Sequence, residues 1–201
     1  MKMADKFVQG FYPYDVEKAL MSEIAYLEMG ISPKGDSVSS DPKSGIEFHQ
    51  GKSLFGDMYL NHSSQYTSTP IKIAPSGSIV MSVRAPVGDV NIVDRNIAIG
   101  RGLCALWGKE RLDTKFLYYW LNASSYEIKA RSFGSTFDAI NTTEIRTLRV
   151  PVPPLQIQRE IVRILDNFTE LTAELTVELA ARQKQYQYYR DKLLTFKEKK
   201  T

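Results

Sequence analysis

The sequence predicts an α+β fold, in which a globular domain of mixed, mostly antiparallel strands with flanking helices precedes a long C-terminal coiled-coil helix. Runs of Ile and Val between residues 71 and 107 alternate with Gly and Asp, which is typical of short antiparallel strands joined by turns. Apolar residues recur at helical spacing in Val16–Met29 and Leu112–Ser132. From Ile161 to Phe196 they recur at alternating steps of four and three residues, with Thr172 and Arg182 as the polar members of the series, which indicates a heptad repeat.

The composition is that of an ordinary soluble protein, with 43% hydrophobic and 24% charged residues among 201. About 150 residues precede the C-terminal helix, enough for one domain with a sizeable core. We expect a cytosolic protein without a membrane segment, because no apolar run approaches about 18 residues and the first ten residues do not form a signal peptide. Cys104 is the single cysteine, which excludes an internal disulfide and a multi-cysteine metal site.

Val16–Met29 is the first segment with a clear pattern, and its apolar positions predict one amphipathic helix. Residues 30–45 are dense in Ser, Gly, Pro and Asp, so a loop is expected there. Residues 51–53, Gly-Lys-Ser, match the end of a phosphate-binding loop. Ile46 stands where that motif needs a glycine, so we interpret the segment as a turn between strands.

Two arginines in the strand-rich segment are candidates for contact with a ligand. Arg84 follows a predicted strand and precedes Pro86, and Arg101 lies between two glycines, which would let the backbone approach a ligand closely. These residues are equally compatible with a second interpretation, in which both arginines end strands in solvent.

Leu112–Ser132 predicts a helix that begins at Asp113 as its N-cap. The aromatic run at residues 118–120 is assigned to the core and not to base stacking, because aromatic residues at helical spacing are usually buried. Asn141 and Glu144 have the spacing of a capping box and predict a second, short helix. The residues expected on the buried side of the first helix are Phe116, Leu117, Trp120 and Leu121.

Positive charge gathers in the middle of the chain, where a nucleic-acid surface would be sought. Residues 1–77 carry 7 basic and 9 acidic side chains, whereas residues 78–149 carry 10 basic and 7 acidic ones. One short segment combines cations with hydroxyl groups, which suit phosphate oxygens and base edges. A solvated loop of the same composition is the alternative. The segment contains Lys129, Arg131, Ser132, Ser135 and Thr136.

The heptad pattern predicts that the C-terminal helix pairs with a helix of another molecule. A helix over Leu155–Phe196 would be about 60 Å long at 1.5 Å per residue, too long to be covered by the domain before it. Folding of the helix back onto its own domain is the alternative. The seam residues assigned to dimerisation are Ile161, Leu165, Phe168, Leu175, Leu179, Tyr186, Tyr189, Leu193 and Phe196.

Signatures of catalysis are missing from the sequence. His49 and His62 are its two histidines and have no cysteine beside them, which argues against a zinc site. Neither a Gly-x-Ser-x-Gly elbow nor a Gly-x-Gly-x-x-Gly loop occurs. We therefore predict a non-catalytic protein with no metal ion and no cofactor of its own.

Taken together, these residues resemble the specificity (S) subunits of bacterial type I restriction-modification systems. The resemblance extends over nearly the whole chain after about residue 45, and its most specific part is the Pro-Pro-Leu-x-x-Gln run with the heptad helix behind it. The segments that carry it are Gly77–Ile92, Ile97–Leu106, Gly134–Ile145 and Val150–Asp166.

The resemblance implies a target recognition domain over residues 1–150 and a conserved spacer helix over residues 151–201. It also implies a place in the bacterial cytoplasm, double-stranded DNA as ligand, and two kinds of protein partner. Methyltransferase (M) subunits would dock on the helix and use S-adenosylmethionine, and restriction (R) subunits would use ATP and Mg²⁺. The residues that we assign to DNA contact are Lys52, Ser53, Arg84, Arg101, Lys129, Arg131, Ser132, Ser135 and Thr136.

An S subunit of the family contains two tandem copies of domain and helix, whereas this sequence contains one. The expectation is a homodimeric half-subunit that reads an interrupted palindrome. The alternative is a coiled-coil assembly protein whose globular domain binds protein and not DNA. Binding to duplex DNA that weakens with salt separates the two.

Overall fold

The computed structural model describes residues 16–132 and 139–196. The chain forms two compact units, with the boundary between Arg159 and Glu160. In chain order the elements are β1 (Lys18–Leu20), α1 (Met21–Ile24), β2 (Ala25–Met29), β3 (Val38–Ser39), β4 (Ile46–His49), β5 (Tyr66–Thr67), β6 (Ile73–Ala74), β7 (Ile79–Ser82), β8 (Val90–Ile92), β9 (Ile97–Ile99), β10 (Leu103–Gly108), α2 (Thr114–Ala123), α3 (Ser125–Ser132), α4 (Thr142–Arg146), β11 (Arg149–Pro151) and α5 (Leu155–Leu194).

Two larger sheets form the framework of the first unit, and the predicted α+β class is confirmed. One has the strand order β2-β10-β7-β8 and is antiparallel throughout, and the other has the order β3-β5-β4-β9-β6. Only the β4–β9 pair is parallel among the described ladders. Every residue of β7, β8 and β9 is buried, including the polar Ser82 and Asn91, so neither face of these strands is open to solvent.

The prediction of a helix over Val16–Met29 is wrong. The segment forms β1, the single turn α1 and β2, because each strand finds a partner distant in the sequence. Lys18–Leu20 pairs with Arg149–Pro151, and Ala25–Met29 pairs with β10. Tertiary pairing here overrides a pattern that also satisfies helical spacing.

The predicted N-cap and capping box agree with the structure, but the single helix predicted over Leu112–Ser132 is divided into two helices. The Asp113 carboxylate accepts hydrogen bonds from the backbone N–H groups of Lys115 and Phe116 and begins α2. A break at Ser124 separates α2 from α3, and Tyr118 takes a buried position while Trp120 is half-buried. The capping box predicted for α4 is formed by reciprocal Asn141 and Glu144 hydrogen bonds.

Helix α5 is one uninterrupted helix of 40 residues, about 60 Å long at 1.5 Å per residue. Its apolar residues are largely exposed: Phe168 by 62%, Leu175 by 55% and Leu193 by 71%. Ile161 and Leu165, the first two seam residues, are half-buried. The helices within residues 16–132 and 139–196 include none with an apolar stretch that could cross a bilayer.

Candidate functional site

Three loops that are distant in the sequence meet at one place in the first unit. The Gly100 N–H donates to the His49 carbonyl at 2.8 Å, and the Gly102 N–H donates to the Gln50 carbonyl at 3.1 Å. The Gly102 carbonyl in turn accepts from the Val83 N–H at 3.0 Å. These bonds place residues 50–53, residues 100–102 and residues 83–89 side by side, and we call them the convergent loops.

The two glycines beside Arg101 make this close approach possible. A Cβ on Gly102 would collide with the carbonyl oxygen of Gln50, and a Cβ on Gly100 would lie 3.0 Å from the Ser32 hydroxyl and 3.1 Å from the Cα of Gln50. The sequence suggested that these glycines admit a ligand. The structure corrects this interpretation, because the atoms that approach them belong to neighbouring segments of the same chain.

The convergent loops bring several predicted DNA-contact residues together. Arg84 and Arg101 are exposed and lie on neighbouring segments, since Val83 is bonded to Gly102. Lys52 lies on the first of these loops, in a single 3-10 turn over Lys52–Leu54 that confirms the predicted turn. Ser53 beside it is also exposed.

Helix α3 joins this surface through Ile128 and Lys129. Ile128 is completely buried, and its Cγ2 would lie 3.2 Å from a Cβ on Gly88, whose φ of +88° suits the turn between β7 and β8. Lys129 reaches Asp89 with its ammonium group at 3.3 Å. Arg131 is exposed on the same helix. The Ser132 side chain, Ser135 and Thr136 lie outside the part of the chain that the structure describes.

Asp89 is the residue of this surface that the sequence did not reveal. Its carboxylate accepts from the ammonium groups of Lys52 at 2.5 Å and Lys129 at 3.3 Å. Partial burial favours the neutral acid, but the hydrogen bonds from the two lysines outweigh it and lower the pKa of Asp89. The carboxylate is therefore ionised at neutral pH and pairs with two of the predicted DNA contacts.

A second polar cluster surrounds Glu47, on the sheet that carries the first convergent loop. Its carboxylate accepts from Arg95 at 2.7 Å, His62 at 2.7 Å, His49 at 3.1 Å and the Ser63 N–H at 3.1 Å. Burial opposes ionisation, but these donors prevail and lower the pKa of Glu47 to about 2.

Both histidines of the sequence thus serve a structural carboxylate. Burial lowers the pKa of His49 despite its bond to Glu47, so this buried imidazole is neutral at physiological pH. Among the described residues, no three His, Cys, Asp or Glu side chains are grouped so that they could hold a metal ion. Burial also raises the pKa of the Cys104 thiol to about 12, so this thiol is not a reactive thiolate.

Gln158 explains the most specific part of the sequence resemblance. This side chain is completely buried in the first unit, and its carbonyl oxygen accepts from the Asp113 N–H at 2.8 Å. Its amide group donates to the carbonyl oxygens of Arg111 at 2.9 Å and Pro153 at 2.7 Å. The glutamine of the Pro-Pro-Leu-x-x-Gln run therefore joins the start of α2 to the first turn of α5.

Comparison with known proteins gives consistent findings. A family model described as the type I restriction modification DNA specificity domain matches residues 38–182. The putative type I restriction enzyme MjaX specificity subunit of Methanocaldococcus jannaschii is 36% identical over 165 residues, which are 81% of this chain and 38% of that protein. The EcoR124I/EcoR124II specificity subunit of Escherichia coli is 48% identical over 89 residues, which are 42% of this chain and 22% of that protein.

Solved structures are similar as well. A chain from a structure on complex assembly and conformational transition of the type I R-M system has a TM-score of 0.77 and 31% identity, covering 93% of this chain and 48% of that one. The HsdS subunit from Thermoanaerobacter tengcongensis has a TM-score of 0.73 and 30% identity, covering 88% of this chain and 46% of that subunit. The chain spans less than half the length of these relatives.

Proposed function

Because this chain belongs to the type I restriction modification DNA specificity family, we propose that it binds double-stranded DNA and reads one half of a split target sequence. One observation carries the proposal: the convergent loops and α3 bring Lys52, Arg84, Arg101 and Lys129 onto adjoining segments of the first unit. Lysines suit phosphates as flexible point charges, and arginines suit guanine edges with their planar pairs of donors.

The apolar stripe of α5 supports self-association of two chains. Large side chains such as Tyr186 and Leu193 are 67% and 71% exposed, and heptad seams of this length are buried by a second helix. Two identical chains are most often related by a two-fold axis, so the two domains would present the same surface in opposite directions. The proposed target is consequently an interrupted palindrome.

The length of α5 limits the spacing of the two half-sites. At about 60 Å of helix and 3.4 Å per base pair, the centres of the half-sites lie at most about 17 base pairs apart. The paired helices also offer the surface for methyltransferase and restriction subunits in the bacterial cytoplasm. In this proposal S-adenosylmethionine, ATP and Mg²⁺ are bound by those partners, and this chain carries no catalytic group.

Mapping of methylated adenine by single-molecule sequencing tests the proposal. A host that expresses this chain with its methyltransferase subunit is expected to carry the mark at two inverted copies of one short half-site. Loss of the mark when Arg84 and Arg101 are both replaced by Ala would tie it to the convergent loops. A clearly asymmetric bipartite motif would contradict the homodimer, and an absence of duplex binding would favour the protein-binding alternative.

A further inference from the structure

Asp89 places a fixed negative charge in the middle of the proposed DNA surface. Its side chain is 32% exposed, and those of its partners Lys52 and Lys129 are 37% and 42% exposed. All three groups are therefore within reach of a molecule that approaches from solvent. The two lysines come from different segments, the first convergent loop and α3, and Asp89 lies between them.

The carboxylate is held more firmly than the ammonium groups that it binds. The main chain of Asp89 is bonded to Ser82 at both ends, since its N–H donates to the Ser82 hydroxyl at 3.1 Å and its carbonyl accepts from the Ser82 N–H at 2.9 Å. Gly88, the preceding residue, packs over the buried Ile128. A lysine ammonium, in contrast, sits on a flexible four-carbon stem and can move between neighbouring anions.

We propose that Asp89 competes with DNA phosphate for the ammonium groups of Lys52 and Lys129, and so limits the affinity of this chain for duplex DNA of any sequence. The inference rests on the proposed DNA-binding function and adds a residue that acts against binding. Sequence-independent affinity comes from lysines and arginines that neutralise phosphates and release counterions. A lysine that already pairs with Asp89 gains less from a phosphate, and the carboxylate itself repels the phosphate.

This competition would serve a protein that must leave the wrong sequences quickly. Non-target DNA offers phosphate contacts alone, so a weaker phosphate term shortens each encounter with it. At the target, base-edge contacts from arginines such as Arg84 and Arg101 add affinity that does not depend on Lys52 or Lys129. Asp89 would then set how long the protein stays on DNA that lacks the target.

The test is Asp89→Asn, which keeps the shape of the side chain and removes its charge. Titration of a labelled duplex of scrambled sequence at several salt concentrations is expected to show about threefold to tenfold tighter binding at low salt. The slope of log K against log salt should steepen by about one to two, one unit for each lysine that becomes available. The gain should disappear at high salt, where phosphate contacts are screened.

Asp94→Asn is the matched control, because it removes the same charge from a carboxylate that pairs with Arg95 and is 59% exposed. It should leave the salt slope unchanged. A second control repeats Asp89→Asn in a chain that carries Lys52→Met and Lys129→Met, where the gain should vanish. Circular dichroism confirms that every variant is folded.

The outcomes separate the inference from the function on which it rests. If the wild-type chain binds duplex DNA and Asp89→Asn leaves this affinity unchanged or weakens it, the inference is overturned. The DNA-binding function is then unaffected. An equal gain from Asp94→Asn would reduce the effect to net charge and overturn it as well. If neither the wild-type chain nor Asp89→Asn binds any duplex at low salt, the proposed function fails and the inference fails with it.

Discussion

Strand β10 and helix α5 carry similar apolar side chains but place them in opposite surroundings. Leu103 and Leu106 of β10 are fully buried, whereas Leu175 and Leu193 of α5 are 55% and 71% exposed. The strand finds its partners, β2 and β7, within the chain. The first unit therefore has a core of its own, whereas the apolar stripe of α5 is exposed along most of its length.

Introducing charged residues into the apolar stripe of α5 should have the largest effect of the proposed changes, because it tests whether this stripe is buried against a second helix. Leu175→Glu with Leu179→Glu would bury unpaired carboxylates in a helix pair, at about 3–5 kcal/mol for each uncompensated ion, so we expect complete loss of self-association. Sedimentation at micromolar concentration measures it. Ala173→Glu with Val177→Glu adds the same charges away from the seam and should leave the dimer intact. A monomeric wild-type chain would contradict the proposal that a second copy of α5 covers the apolar stripe.

Truncation of one leucine in each region comes next in expected size. Leu103→Ala removes a fully buried side chain from a cluster of buried apolar residues and should lower the free energy of unfolding by about 2–5 kcal/mol. Leu193→Ala should change the stability of the domain by less than about 0.5 kcal/mol. Urea unfolding followed by the fluorescence of Trp107 and Trp120 isolates the domain, and equal effects of the two substitutions would contradict the distinction.

Acid should weaken the domain before it weakens α5. The pKa of Glu47 is about 2 in the folded chain and 4.5 as its ordinary value, so its contribution is present above pH 4.5 and is lost as the pH falls towards 2. The loss is at most about 3 kcal/mol. The lowered pKa of His49 acts in the same direction below its ordinary value of 6.5, since the unfolded chain binds that proton first.

The acid titration also compares the domain with α5, and Glu47→Gln is the variant that tests the cause. The Arg163 side chain lowers the pKa of Glu160 on α5, but this pair is solvent-exposed and contributes little to stability. Tryptophan fluorescence should therefore change at a higher pH than the far-ultraviolet helix signal. Glu47→Gln should reduce the domain's pH dependence between pH 4.5 and 2, to which the lowered pKa of Asp89 also contributes. An unchanged acid transition in this variant would show that the Glu47 cluster is not responsible.

Single arginine substitutions carry the smallest expected effect. Arg84→Ala, Arg101→Ala and Arg131→Ala should each weaken binding to the target duplex, by about 1–3 kcal/mol where the guanidinium reads a guanine edge. Arg111→Ala is the control, because this arginine pairs with Glu17 and has no place in the proposed surface. Fluorescence anisotropy measures the affinities. Unchanged binding in all three variants would move the proposed recognition surface to residues 32–52, which include β3 and β4.

Structural features that depend on residues close together in the sequence were predictable. The Asp113 cap, the Asn141–Glu144 box and the course of α5 depend on neighbouring residues, and the structure confirms them. Val16–Met29 was not predictable in this way, because its apolar spacing fits a helix as well as two strands. The segment forms strands because it pairs with β10 and β11, which lie far along the chain.

The candidate site was predictable only as a set of residue types. Arg84, Arg101 and Lys129 could be selected as cations beside turns or hydroxyl groups, but nothing local indicated that their segments meet. Asp89 could not be identified from the sequence, because its ion pairs with Lys52 and Lys129 form only when folding brings these residues together. Its one local sign was its position directly after Gly88 in a turn between two apolar runs.

The joint made by Gln158 has an evolutionary consequence. All of its hydrogen bonds go to main-chain atoms, the N–H of Asp113 and the carbonyl oxygens of Arg111 and Pro153. Main-chain atoms are the same whatever side chains surround them. Substitutions in the side chains around Gln158 could therefore accumulate without disturbing these hydrogen bonds, provided that the glutamine and the main-chain course of residues 111–113 and 153 are kept.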